Sequence, residues 1–342
     1  MLARPAPVSF LTIALCASVA WANDGEPDAT NAYPAVGFYH VAFNYPGQPL
    51  DTYGGCSGAL ISRQVFLTAG HCTFYDTRRL VEEPAYETAE AWVSLDPVVL
   101  DNDFRCYLRD IAYPGAEGLT CDEAARNHPT FHKAYNAGIT HPTYAAITRL
   151  GSGTLAIREF APGYTDVAVL LLEHAIVNVE PLPLAEEGLL DDLDRSGLEL
   201  VGVGYGLSYD KSIPAAPEQP GGDGPTNFLG DYGIRRVARL GGIRLITRST
   251  IVPTQQNALG DDAVCYWDSG SPLFLAREGI VDQTIIGVLT GGALWCMGAY
   301  DPYQRIDISS AREFLECVGQ AASPGAACEC GEEGTLGLCA RP

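Results

Sequence analysis

The residue of this chain best placed for nucleophilic chemistry is Ser269. It sits between an aspartate and a glycine in Cys265-Tyr266-Trp267-Asp268-Ser269-Gly270-Ser271-Pro272. Gly270 reaches backbone angles closed to other residues and Pro272 closes the turn, so the hydroxyl stands at a tight, exposed corner. A serine attacks only when a base takes its proton and a third group orients that base; alone, Asp-Ser-Gly is an ordinary turn. His71 and Asp166 are the candidates for the other two parts. His71 follows Val65-Phe66-Leu67-Thr68-Ala69-Gly70 and precedes Cys72. The small residues Ala69 and Gly70 leave room for an imidazole to make a further contact; the competing reading is a satisfied, half-buried histidine. Asp166 heads the apolar run Val167–Leu172. A buried acid there needs a donor, which an imidazole N–H provides; otherwise Asp166 is a loop residue ahead of a strand.

The elements that must position these groups read as strands. Short apolar and β-branched runs recur between turn residues: Val36–Phe43, Gly58–Thr68, Val93–Leu100, Val167–Leu172, Leu198–Val203, Ile243–Ile251 and Ile280–Leu289. With 37 Gly and 23 Pro, this pattern predicts an all-β sandwich or barrel rather than alternating strands and helices. Two helices are expected, a short one over Ala185–Leu193 and one over Ser309–Cys317, where Ser309 and Ser310 are caps and Phe314 and Leu315 share a face. The span Thr73–Gly138 has few strand-like runs and is expected to be a long insertion. Ser208–Asp231, rich in Pro, Gly and Asp, reads as a loop.

Arg4, the apolar run Val8–Ala20 and Ala20-Trp21-Ala22 read as a secretory signal peptide over residues 1–22. That run is too short to span a bilayer. Residues 23–319 then form the main domain and 320–342 a Cys-rich tail. The net charge is −21, one unit more negative after loss of a leader that carries Arg4 and no acid. Such a surface argues against nucleic acid and anionic membranes as partners. Eleven cysteines less Cys16 of the leader leave an even set, which in an exported chain implies a disulfide framework. Expected locations are extracellular or, in a bacterium, periplasmic.

Leu-Thr-Ala-Gly-His-Cys, Thr-Asp-Val-Ala-Val-Leu and Asp-Ser-Gly-Ser-Pro occur in that order. With them the chain resembles the chymotrypsin/trypsin-like serine peptidases over roughly residues 34–317; the order His, Asp, Ser separates it from subtilisin-like and α/β-hydrolase arrangements. Val203-Gly204-Tyr205-Gly206, Gly287–Gly292 and Tyr303-Gln304-Arg305-Ile306 are similar to further segments of that family. The resemblance implies two six-stranded antiparallel β-barrels with a short C-terminal helix, and a secreted, monomeric serine endopeptidase acting on protein or peptide substrates with no cofactor.

By the same resemblance, Ser269 is the nucleophile, His71 the general base and then acid, and Asp166 the group that fixes the imidazole. The backbone N–H groups of Trp267 and Ser269 form the oxyanion hole. Ala263, Thr290, Gly291, Gly292 and Asp301 line the substrate pocket. Ala263 stands where trypsin-like enzymes carry an acid. Asp301 is either an acid at the pocket floor, favouring Arg or Lys, or a solvent-facing turn residue. Asp268 is the activation switch, paired with a new N-terminus near Asn23 or with another partner, since no Ile-Val-Gly-Gly-like start precedes Tyr33-Pro34. Cys56–Cys72 and Cys265–Cys296 match family bridges, and Cys106–Cys121 is a staple within the insertion. Trp267 replaces a family glycine, so the alternative is a weak or inactive binding protein on this fold. Metal sites are not expected: His128, His132 and His141 lack compact zinc spacing, and Asp96, Asp101 and Asp103 match no calcium loop.

Overall fold

The computed structural model describes residues 25–44, 51–73, 88–99, 130–135, 138–144, 164–207, 233–255, 261–292 and 301–321. In chain order the strands are β1 (Glu26–Pro27), β2 (Val36–Asn44), β3 (Asp51–Ser62), β4 (Val65–Thr68), β5 (Thr88–Ser94), β6 (Phe131–Lys133), β7 (Ile139–Thr140), β8 (Ala168–Leu171), β9 (Leu198–Gly204), β10 (Arg236–Arg239), β11 (Ile243–Ile246), β12 (Thr250–Pro253), β13 (Pro272–Arg277), β14 (Ile280–Leu289) and β15 (Tyr303–Arg305). They form two antiparallel sheets, ordered β6-β5-β2-β3-β4-β8-β7 and β1-β10-β9-β13-β14-β15-β12-β11. This is the expected all-β arrangement of two packed halves. Short edge pairings such as β1 and β7 carry the described strands to seven and eight, beyond six in each half.

Inward-facing residues of both sheets build one shared core. Phe38, Phe66, Leu67 and Val169 from the first half meet Val201, Val203, Tyr205 and Phe274 from the second. A second cluster around Leu200, Leu240, Ile251, Leu273 and Ile286 fills the second half. Single apolar runs in the sequence resolve into hairpins where polar or turn residues interrupt them. Ile243–Ile251 is β11 turning into β12, and Gly58–Thr68 is the end of β3 turning into β4.

Three expectations change. Ala185–Leu193 is not helical: Gly188 has φ 77°, its N–H donates to the Asp307 carbonyl at 2.8 Å, and Leu190 N–H donates to the Asp307 carboxylate at 2.8 Å. The Leu190 amide is satisfied from 117 residues away and the Gly188 amide by the same residue, so neither needs an i−4 carbonyl. Thr73–Gly138 is not wholly an insertion. β5 pairs with β2 along seven residues and β6 pairs with β5, so both belong to the first sheet. The run that begins at Val93 leaves the sheet after Ser94, and Val98 then forms an isolated bridge to Ile234; Leu100 lies outside the described residues. The C-terminal helix runs over Ser309–Ala321. Among the described residues no helix is long and apolar enough to cross a membrane.

The two halves are tied near the N-terminal segment by Arg235, which is fully buried. Its guanidinium pairs with Asp28 at 2.9 Å and donates to Asn31. It also donates to the carbonyls of Val36 at 2.9 Å and Leu95 at 3.1 Å, and to the Tyr205 hydroxyl at 3.2 Å. A buried guanidinium is tolerated only when its donors are met in this way.

His40 on β2 is a buried group of the opposite kind. Its Nε2 has no hydrogen-bond partner among the described residues, and burial pulls its pKa from 6.5 to about 4. The unfolded chain therefore binds a proton near pH 6.5 that the folded chain refuses until about pH 4. Stability from neutral His40 is present above pH 6.5 and is lost as the pH falls toward 4, by about 3 kcal/mol in all. Urea unfolding at pH 7.5 and 4 is expected to show a fall about 3 kcal/mol larger in the native protein than in His40→Phe. Equal falls would place the acid sensitivity elsewhere.

Candidate active site

The pairing of β4 with β8 sets Thr68 opposite Ala168, so the chain leaving β4 and the chain entering β8 meet at one end of the first sheet. His71 lies there, in a one-turn helix α1 (Gly70–Thr73) rather than at the strand end. The Cys56–Cys72 disulfide closes the hairpin beside it. Asp166 is fully buried. Its Oδ1 accepts the His71 backbone N–H at 2.8 Å and its Oδ2 lies 2.8 Å from His71 Nδ1. The Thr290 hydroxyl also donates to Oδ2. Asp166 N–H is held by Gln304 Oε1 at 3.0 Å. With Nδ1–H given to the carboxylate, Nε2 is left as the acceptor, the state a general base requires. A Cβ on Gly70 would lie 2.8 Å from Asp166 Oδ1, so the residue before His71 must be small for the pair to form.

Ser269 is half-buried on the loop between Cys265 and β13. That loop is clamped to the first half by Ser57 on β3. Ser57 N–H donates to the Ser269 carbonyl at 2.7 Å, and Ser57 Oγ donates to the Trp267 carbonyl at 2.9 Å while accepting Tyr205 N–H at 2.9 Å. Thr68 Oγ1 in turn donates to the Ser57 carbonyl at 2.8 Å. Gly270, with φ 84°, is required on space as well: a Cβ there would sit 2.2 Å from Thr68 Oγ1 and 2.3 Å from the Ser57 carbonyl oxygen. Trp267 has φ 72°, the left-handed region where glycine is the unstrained choice. The loop thus keeps a glycine-like backbone with tryptophan in it. Gly270 N–H and Ser271 N–H are used by Leu289 and Asp268, whereas Ser269 N–H donates to no described residue. Ser269 Oγ likewise has no hydrogen bond among the described residues, so the link to His71 is unmade here; such links tighten when substrate binds.

Asp268 is buried and its carboxylate accepts Gly206 N–H at 2.7 Å and Cys265 N–H at 2.9 Å. Cβ atoms on Gly204 or Gly206 would come within 2.3 Å of that carboxylate, which explains the glycines of Val203-Gly204-Tyr205-Gly206. On the edge strand, Pro27 lies opposite Arg236 and Glu26 opposite Val237, while Arg236 lies opposite Gly204 and Val237 opposite Val203. From Pro27 back to Glu26 the strand therefore steps away from Gly206.

Of the five expected pocket residues, Thr290, Gly292 and Asp301 are brought together by the contacts of the described residues. Ala263 is buried and precedes Val264 of the second core. Thr290, besides holding Asp166, donates its N–H to the Pro302 carbonyl at 3.0 Å, joining Thr290-Gly291-Gly292 to the chain that carries Asp301. Asp301 is fully buried and not a solvent-facing turn acid. Gln255 Nε2 donates to its Oδ2 at 2.5 Å, and a Cβ on Gly292 would lie 3.2 Å from its Oδ1. Tyr303 is close to both Asp301 and Asp268; burial first, then these two carboxylates, raise its pKa well above the usual phenol range.

Ser57, Gln304 and Gln255 escaped sequence reasoning because each acts through contacts distant along the chain, and Thr68 because it acts only through Ser57 across the hairpin. Cys265 is disulfide-bonded; its expected partner Cys296, with Cys106 and Cys121, lies outside the described residues. Of the groups weighed for metal, His141 is structural: its Nε2 donates to the Ser310 carbonyl at 3.1 Å and its Nδ1 accepts from Thr143. His128, Asp101 and Asp103 lie outside the described residues. Cys56, His71 and Cys72 come within metal-ligand distance of one another, but the two sulfurs are joined in the disulfide.

The sequence matches no protein-family model and no curated protein. Solved structures do match. HL collagenase is similar with a TM-score of 0.51 and 16% identity, over 87% of this chain and 98% of its own. A mutant of human heparin binding protein is similar with a TM-score of 0.50 and 12% identity, over 89% of this chain and 100% of its own. The chain has the chymotrypsin-like double β-barrel fold.

Proposed function

We propose that the protein is a secreted serine endopeptidase. Ser269 is the nucleophile, His71 the base and then the acid, and Asp166 the residue that orients the imidazole. The observation that carries this reading is the double grip of Asp166 on His71, through the backbone N–H and through Nδ1, each at 2.8 Å. A histidine kept merely for packing needs no buried carboxylate aligned to fix its tautomer. In acylation, the Ser269 Oγ–carbonyl bond forms as the proton passes to His71 Nε2. Collapse of the intermediate breaks the carbonyl–nitrogen bond and His71 returns the proton to the departing amine; water then reverses the sequence. Ser269 N–H and Trp267 N–H stabilise the oxyanion.

Asp301 at the pocket floor, beside Gly292, favours Arg or Lys before the cut. Asp268, held by Gly206 and Cys265, orders the nucleophile loop, which supports the reading in which it has a partner other than a new N-terminus. The net charge of −21 argues against nucleic acid as a partner. The decisive test is labelling with a fluorophosphonate: the native protein is expected to label and Ser269→Ala is not. A correctly folded protein that fails to label would leave the binding-protein reading, to which Trp267 in place of glycine points.

A further inference from the structure

We infer that the indole of Trp267, seated on Gly55, is a wall of the leaving-group side of the site and selects an apolar, preferably aromatic, residue immediately after the scissile bond. This rests on Ser269 being the nucleophile. Gly55 has φ 111°, and a Cβ added to it would lie 1.8 Å from Trp267 Cδ1, 2.3 Å from Nε1 and 2.6 Å from Cγ. The pyrrole edge of the indole therefore occupies the space that a side chain at position 55 would take. The backbone of Trp267 is fixed as well, by its carbonyl bond to Ser57 Oγ at 2.9 Å. Trp267 is half-buried and packs against the main core, so it is anchored without being wholly enclosed.

Stereochemistry decides which part of a substrate meets it. The tetrahedral carbon carries Ser269 Oγ, the oxyanion, the acyl chain and the departing nitrogen. The acyl chain runs toward Thr290–Gly292 and Asp301. The departing nitrogen must reach His71, which neighbours the Cys56–Cys72 bridge. Gly55 is the residue before Cys56, so the leaving segment crosses Gly55 and the indole upon it. A flat apolar surface there rewards stacking by an aromatic side chain, and it offers nothing to an acidic one.

Acyl-transfer partitioning tests this without depending on how fast the acyl-enzyme forms. An ester substrate generates the acyl-enzyme, and amino-acid amides compete with water for it. The amine nitrogen bonds to the carbonyl carbon, the carbon–Oγ bond breaks, and the amine's proton returns through His71 to Ser269. Phenylalaninamide is expected to outcompete glycinamide in the native protein. That ratio is expected to fall about fivefold in Trp267→Gly and to persist in Trp267→Phe. If Trp267→Gly does not fold, Gly55→Ala, which displaces the indole, is expected to lower the same ratio. An unchanged ratio in the variant that folds would overturn the assignment while leaving Ser269 as nucleophile. Failure of the native protein to form any acyl-enzyme would overturn both.

Discussion

Asp166→Asn is expected to fold normally and to lose about 10⁴-fold in kcat at neutral pH, the size of effect seen for this change in Ser-His-Asp enzymes. Geometry makes the two halves of that expectation separable. The amide oxygen can keep the place of Oδ1 and accept His71 N–H, as the carboxylate does at 2.8 Å. The amide nitrogen then stands at the place of Oδ2, facing His71 Nδ1 and the Thr290 hydroxyl. The hydroxyl rotates and accepts, at little cost. The imidazole must also accept at Nδ1, which puts its proton on Nε2, and a protonated Nε2 cannot take the Ser269 proton. A thermal melt within a few degrees of the native protein, together with the loss of peptide hydrolysis, checks both halves. A rate within tenfold of native would mean that another group sets the tautomer and that the Asp166 grip on His71 serves packing alone.

The same pair shows what the sequence discloses and what it withholds. Each chemical group announces itself locally: a serine in a glycine corner, a histidine after two small residues, an acid ahead of an apolar run. Strand periodicity is local too, and β2, β8, β9 and β14 lie where alternation and apolar runs place them. The supports are not local. Ser57 looks like any serine beside a cysteine, yet it holds Trp267 and Ser269, some 210 residues away. Arg235 reads as a surface charge and is fully buried, because Asp28 and four other acceptors converge on it. Ala185–Leu193 has a helical composition, but Asp307 claims its amides and the helix never forms. In each case a polar group must be satisfied from far along the chain, and no window of neighbouring residues records that requirement. Trp267 is the sharpest instance. Its side chain departs from glycine, while its φ of 72° preserves what glycine would supply.

Asp301→Ser is expected to lower kcat/KM for cleavage after Arg or Lys by about 10²–10³-fold while leaving cleavage after apolar residues in place. The reason is the cost already met in the folded protein. Asp301 is fully buried and Gln255 serves one of its oxygens, while the other faces Gly292. A guanidinium or ammonium entering past Gly292 meets the charge of this carboxylate in surroundings with little water. Removing one member of such a desolvated pair costs about 2–5 kcal/mol. Serine retains an acceptor for Gln255 Nε2, so the floor stays hydrogen-bonded and the shape of the pocket changes little. Apolar side chains, which gain nothing from the carboxylate, then bind as well as before or better. Hydrolysis of a peptide series varied only at the residue before the cut measures the ratio directly. Should the ratio be the same in both proteins, Asp301 would be an acid buried for the sake of Tyr303 and Gln255, and the pocket floor would lie at Ala263, with an apolar preference as the consequence.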